Sequence, residues 1–112
     1  MFSIYHNPGC SKSRAALGLL QQHGIDPRII LYLETPPSFA ELATLLDQLA
    51  LGPQALIRRS EPQLVNVEVD ALSHDELLQL MATYPILIER PIVIRGERAI
   101  IGRPPERVLE LL

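Results

Sequence analysis

The sequence predicts an α/β fold in which a βαβ unit, a helical insert and a ββα unit share a mixed sheet of about four strands. Three observations lead there. A short apolar run, Phe2–Tyr5, passes through an Asn-Pro-Gly turn into a helical pattern and then into a second run at Arg28–Tyr32. Two Ser-x-x-Glu capping boxes open helices in the middle of the chain, at Ser38–Glu41 and Ser73–Glu76. The last third holds two β-rich runs separated only by Gly96-Glu97, with a Pro-Pro step beyond them.

The first helix is predicted over about Ser11–His23, with Ala15, Leu17, Leu19 and Leu20 on an apolar stripe. Gly24 stops it as a C′ glycine, and Asp26-Pro27 turns the chain toward the second strand. A strand–helix–strand unit this short implies a parallel pair joined by a right-handed crossover. Pro36-Pro37 then breaks the chain, and Leu42, Leu45, Leu46 and Leu49 give the next helix its buried stripe. Pro53 starts a short helix to about Arg59. Val65, Val67 and Val69 alternate, yet the Ser60–Leu72 segment reads best as a loop or a short helical turn. The second capping box starts a helix that Pro85 closes after Tyr84.

Residues 91–95 and 98–101 form an antiparallel hairpin, Gly102 ends it, and Pro104-Pro105 starts a final helix carrying Val108, Leu109, Leu111 and Leu112. This order is the thioredoxin-like plan, a central sheet with helices on both faces. We expect a single domain over residues 1–112, with the helical insert at about 38–84.

Composition narrows the function. The chain has 112 residues, and 47% of them are hydrophobic, but no apolar run approaches a membrane span. No charged-then-apolar leader precedes the first strand. A single cysteine cannot form an internal disulfide, which points to a reducing, cytoplasmic setting. A net charge of −3 argues against a nucleic-acid or anionic-membrane surface. One cysteine and three scattered histidines make no metal-ligand pattern, and His23 and His74 read as helix-terminus residues.

That cysteine, Cys10, carries the chemistry. It sits at the start of the first helix, where unpaired N–H groups and the helix dipole favour the thiolate. A buried structural cysteine is the plainer alternative, but it would not call for His6, Ser13 and Arg14 around it. Cys10-Ser11-Lys12-Ser13 has serine where a resolving cysteine often stands, so an external thiol must regenerate Cys10 if it forms a disulfide. Ser13 can hydrogen-bond the thiolate, and His6 is either a cation or hydrogen-bond donor tuned by its neighbours, or a solvent-facing strand terminus. Lys12 is the only lysine; the other nine basic residues are arginines, whose fork matches tetrahedral oxyanions.

The stretch Tyr5-His6-Asn7-Pro8-Gly9-Cys10-Ser11-Lys12-Ser13-Arg14 resembles the active-site loop of the glutaredoxin-linked arsenate reductase family, in its short chromosomal branch. Ile30–Pro37, Ala55–Arg59, Arg90–Val93 and Ile101–Pro104 extend the resemblance along the chain. It implies a thioredoxin-like cytoplasmic enzyme that reduces arsenate or a similar small oxyanion. The implied nucleophile is Cys10, helped by His6 and Ser13. Arg58, Arg90 and Arg103, with Arg14 nearby, would bind the oxyanion. The resemblance also implies glutathione and glutaredoxin as the source of electrons, and we expect no bound cofactor or metal and a monomeric protein. A cis Arg90–Pro91 bond is implied as well. The same fold also resembles small thiol-based regulators of RNA polymerase, though these carry a second cysteine as their switch. A general glutathione-dependent oxidoreductase is the third reading.

Overall fold

Four strands form one sheet in the order β2-β1-β3-β4, in a computed structural model that describes every residue from Met1 to Leu112. The strands are β1 (Phe2–Tyr5), β2 (Arg28–Ile30), β3 (Ile92–Arg95) and β4 (Arg98–Ile101). β1 runs parallel to β2 and antiparallel to β3, and β3 pairs antiparallel with β4. The predicted mixed four-stranded sheet is therefore present. The chain divides into two compact units: residues 1–35 with 90–112, and residues 36–89.

In the first unit the register places Ile4 opposite Val93, and Val93 opposite Ile100, in one row across three strands. That row packs against Ala16 and Leu20 of α1 (Ser11–Gln22) and against Val108 and Leu111 near the C-terminus. Side chains four apart share a helix face, so Ala16 and Leu20 point at the sheet together. Ser13, three residues before Ala16, is drawn onto the same face and is fully buried. Ala15 is exposed instead, one position off the predicted stripe. Gly24 adopts φ 76° directly after the C-cap His23, as the predicted C′ glycine should.

The terminal segment Pro105–Leu111 is a 3₁₀ rather than an α-helix. Arg95 ties it to β3 by donating from Nη1 to the Leu111 carbonyl at 2.7 Å, while its guanidinium lies 5.0 Å from the Phe2 ring centre. Strand β2 is shorter than predicted, because Glu34 and Thr35 both donate back to the Leu31 carbonyl and turn the chain. The Arg90–Pro91 bond is cis, as the resemblance implies, and Arg103–Pro104 is cis as well.

Gly102 is the tightest point of this unit. A Cβ there would meet Val108 Cγ1 at 2.9 Å and Pro91 Cγ at 3.0 Å. Neither neighbour is the free end of a flexible side chain, so the contact is an overpacking problem. Gly102→Ala should cost about 1–3 kcal/mol of stability, read as a lower urea midpoint at unchanged slope.

The second unit is helical: α2 (Phe39–Leu49), α3 (Pro53–Leu56) and α4 (His74–Thr83), with α4 packed against both others. Both capping boxes form. Ser38 and Ser73 accept from the Glu41 and Glu76 N–H groups, and each glutamate reaches back to its serine's N–H. Leu42, Leu45, Leu56, Leu77, Leu78 and Met81 are buried. α3 ends at Leu56 because Ile57 turns extended and bridges antiparallel to Ile88. The bridge is held by Arg58 N–H to the Leu87 carbonyl and Glu89 N–H to the Leu56 carbonyl. It also carries this unit on to Glu89, beyond the predicted insert boundary at 84. Residues 60–72 contain two 3₁₀ turns, Pro62–Leu64 and Val69–Ala71, and no strand. No helix is long and apolar enough to cross a membrane.

Candidate active site

The site begins where β1 ends. His6 N–H donates to the Ile30 carbonyl at 2.9 Å, prolonging the β1–β2 ladder by one residue and fixing the chain's direction into the loop. Asn7 then builds a tight turn. Its Oδ1 accepts from Gly9 N–H at 2.9 Å, and its carbonyl accepts from Cys10 N–H at 2.9 Å. This Asx-type turn delivers Cys10 to the N-cap of α1 with extended backbone, φ −102° and ψ 122°. The Cys10 carbonyl accepts the first helical bond, from Arg14 N–H. The thiol is free and partly exposed, and the first-turn N–H groups face it without a fully formed capping bond.

Cys10 titrates below the ordinary thiol value. Burial pushes it up, and this is the largest single influence. It is outweighed by the N–H groups of Ser13 and Lys12, and by a hydrogen bond and positive charge from Arg90. The first turn of α1 thus favours the thiolate form of Cys10. Lys12 takes part through its backbone.

Ser13 likewise meets the thiol through its backbone N–H, and its hydroxyl has other partners. Ser13 Oγ lies 2.6 Å from His6 Nδ1 and accepts from Asn7 N–H at 3.0 Å. His6 is itself buried, and burial followed by the charge of Arg14 lowers its pKa from 6.5. Both influences disfavour the charged ring, and its burial rules out the solvent-facing reading, so His6 acts here as a hydrogen-bonding ring. Its link to Cys10 runs through Ser13 and the Asn7 turn.

Ser13→Ala should leave His6 Nδ1 and Asn7 N–H without this partner, at a cost of about 1–3 kcal/mol in stability. Because the residue-13 N–H survives, Cys10 in that variant should still alkylate with a pKa below that of a free thiol. Iodoacetamide rates against pH, beside a urea titration, measure both.

Arg90 also reaches the sulfur. Its Nε and Nη1 are buried with no hydrogen-bond partner in the protein. Arg103 Nη1 donates to the Arg90 carbonyl at 3.1 Å. Neither arginine forms an ion pair, whereas Arg58, Arg59 and Arg107 all do. Arg14 uses Nη1 on the Pro8 carbonyl at 2.7 Å and so braces the loop that carries Cys10. Arg58 belongs to the second unit, where it lies 3.6 Å from Glu61 and 3.7 Å from Glu89.

The first unit thus brings together His6, Cys10, Ser13, Arg14, Arg90 and Arg103. Asn7 is the working residue that a search for charged and nucleophilic side chains passes over, although an Asn-Pro-Gly triplet is a strong turn signal. No group of three or more His, Cys, Asp and Glu side chains is clustered in a way that could hold a metal ion. The arrangement offers an activated thiolate beside a guanidinium with unused donors, which suits attack on a small oxyanion.

Comparison with known proteins agrees. The family model described as "ArsC family" matches residues 5–111. An arsenate reductase of Haemophilus influenzae is 46% identical over 97% of this chain and 97% of its own length. The Escherichia coli protein YfgD, itself uncharacterized, is also 46% identical, over 97% of this chain and 94% of its own. The solved structure of an arsenate reductase from Vibrio cholerae superposes with a TM-score of 0.95 at 49% identity, covering 99% of this chain and 97% of that one.

Proposed function

We propose, for a chain that belongs to the ArsC family, that it reduces arsenate to arsenite, with Cys10 as the nucleophile and glutathione and glutaredoxin as the source of electrons. One observation carries the reading. Beside a thiol held toward its anionic form lies an arginine with two buried donors that no protein acceptor takes up. Unmade bonds of that kind cost about 1–3 kcal/mol each, and a tetrahedral oxyanion supplies the acceptors.

In the first step the Cys10 thiolate attacks arsenic, an As–S bond forms, and one arsenate oxygen leaves as water after protonation. Arg90, with Arg103, offsets the charge that would otherwise repel the thiolate. Arg58 and Arg14 complete the proposed oxyanion set. In the second step a glutathione thiolate attacks the Cys10 sulfur. The As–S pair of electrons returns to arsenic, which leaves as arsenite, and a Cys10–glutathione disulfide remains. The chain has no second cysteine, so glutaredoxin must resolve that disulfide. His6 and Ser13 hold the loop in which these steps occur. The enzyme would act in the cytoplasm, as a monomeric single domain with its helical insert, and with no bound cofactor.

The test is turnover of the purified protein with arsenate, glutathione, glutaredoxin and a coupled NADPH readout. Arsenite should form, and omission of either thiol component should stop it. Turnover sustained by neither component would overturn the reading.

A further inference from the structure

Arg103 looks at first like another ligand for the oxyanion, yet its visible bond is to the protein backbone. Residues 102 and 103 hold two successive carbonyls of the segment that leads into β3. Gly102 N–H donates to the Pro91 carbonyl at 2.8 Å, and Arg103 Nη1 donates to the Arg90 carbonyl at 3.1 Å. Gly102 can sit there only because it lacks a Cβ, given Pro91 Cγ at 3.0 Å. The segment after β4 is thus fastened to both residues that precede β3. Arg90 is the side chain whose hydrogen bond and charge reach the Cys10 sulfur. No carboxylate pairs with Arg90 or Arg103, so no ion pair within the protein fixes where either cation stands.

We infer that Arg103 is a positioning residue, which holds Arg90 against Cys10 through the Arg90 carbonyl and so sets the reactivity of the thiol before any oxyanion arrives. The physical ground is that a guanidinium's effect on a nearby anion falls steeply with distance and alignment. A main-chain bond at Arg90 fixes the root of that side chain. It also spends one of the five Arg103 N–H donors and leaves four for substrate, so positioning and binding are compatible. The inference rests on the reading of Cys10 as nucleophile, but it concerns the enzyme without substrate.

The experiment is a double-mutant cycle on intact protein with no arsenate present. Iodoacetamide alkylation of Cys10 is followed against pH in the wild type, Arg103→Met, Arg90→Ala and the double variant. Loss of Arg103 should lower the alkylation rate at pH 7 several-fold and move the profile to higher pH. In the Arg90→Ala background the same substitution should change little, because the group it positions is gone. An unaltered profile in Arg103→Met, or an equal effect in both backgrounds, would overturn the inference. The second outcome would mean that Arg103 acts on the sulfur by its own charge. Unfolding curves identify a variant that fails to fold, and Arg103→Gln then replaces methionine in the same cycle. Arsenate turnover is measured separately, so failure of the positioning role and failure of the reductase reading give different results.

Discussion

Cys10→Ser is expected to reduce arsenate turnover to background while leaving the fold intact or slightly firmer. A serine hydroxyl is too weak an acid to be held as the anion by two backbone N–H groups and one guanidinium, so the nucleophile disappears. The stability side has the opposite sign. Cys10 is the N-cap of α1 and makes no side-chain capping bond. Serine is among the preferred N-cap residues, and its oxygen can accept from the first-turn N–H groups that now face sulfur. A gain of up to about 1 kcal/mol is therefore expected in urea denaturation. Loss of activity with unchanged or improved stability would separate a chemical role from a structural one. A variant that both loses activity and unfolds would return Cys10 to the role of a buried structural residue.

Arg90→Ala should be the most damaging change after removal of the thiol. Two effects act in the same direction. The Cys10 pKa is lowered because two backbone N–H groups and Arg90 together outweigh burial. Without Arg90 the upward push of burial gains ground, the titration moves to higher pH, and less thiolate is present at pH 7. The variant also lacks the buried Nε and Nη1 donors. Loss of one such donor set from a developing charge typically costs about 10²–10³ in rate. We expect kcat/KM for arsenate to fall by about that factor, with the deficit shrinking as pH rises and thiolate is restored. Arg90→Lys should recover part of the pH behaviour, because it keeps the charge, and less of kcat/KM, because it loses the fork. An Arg90→Ala enzyme with the wild-type alkylation profile would show that Arg90 does not tune the sulfur.

Most of the fold is written in local sequence signals. Phe2–Tyr5, Arg98–Ile101 and both capping boxes fall where apolar pattern and capping chemistry place them. What local pattern does not contain is pairing across the chain. Ile57 leaves the helical path because Ile88 offers it a bridge, and the predicted helix to Arg59 stops at Leu56. The valines at 65, 67 and 69 alternate like a strand but have no partner strand, and Val65 is 81% exposed. Leu31 ends β2 through a turn that no glycine or proline announces.

The site divides in the same way. Cys10 at a helix start is legible from Asn7-Pro8-Gly9 and the stripe that follows, whereas arginine content alone does not single out Arg58, Arg90 and Arg103, which the family resemblance names. The state of His6 is not, because it depends on burial and on Arg14 beside it. Nor is the route by which Ser13 acts, since the choice between its hydroxyl and its N–H is made by geometry. Arg103 is named by its motif, yet only its bond to the Arg90 carbonyl reveals a second use.

In the proposed cycle the Cys10 thiolate attacks arsenate and is then captured by glutathione. This cycle is tested most directly by a single turnover with glutathione present and glutaredoxin withheld, in which arsenite is quantified and Cys10 is examined by mass spectrometry. One arsenite should be released per protein, and one glutathionyl group should appear on Cys10 only when arsenate is present. Arsenite formed without modification of Cys10, or Cys10 glutathionylated at the same rate whether or not arsenate is present, would contradict this cycle.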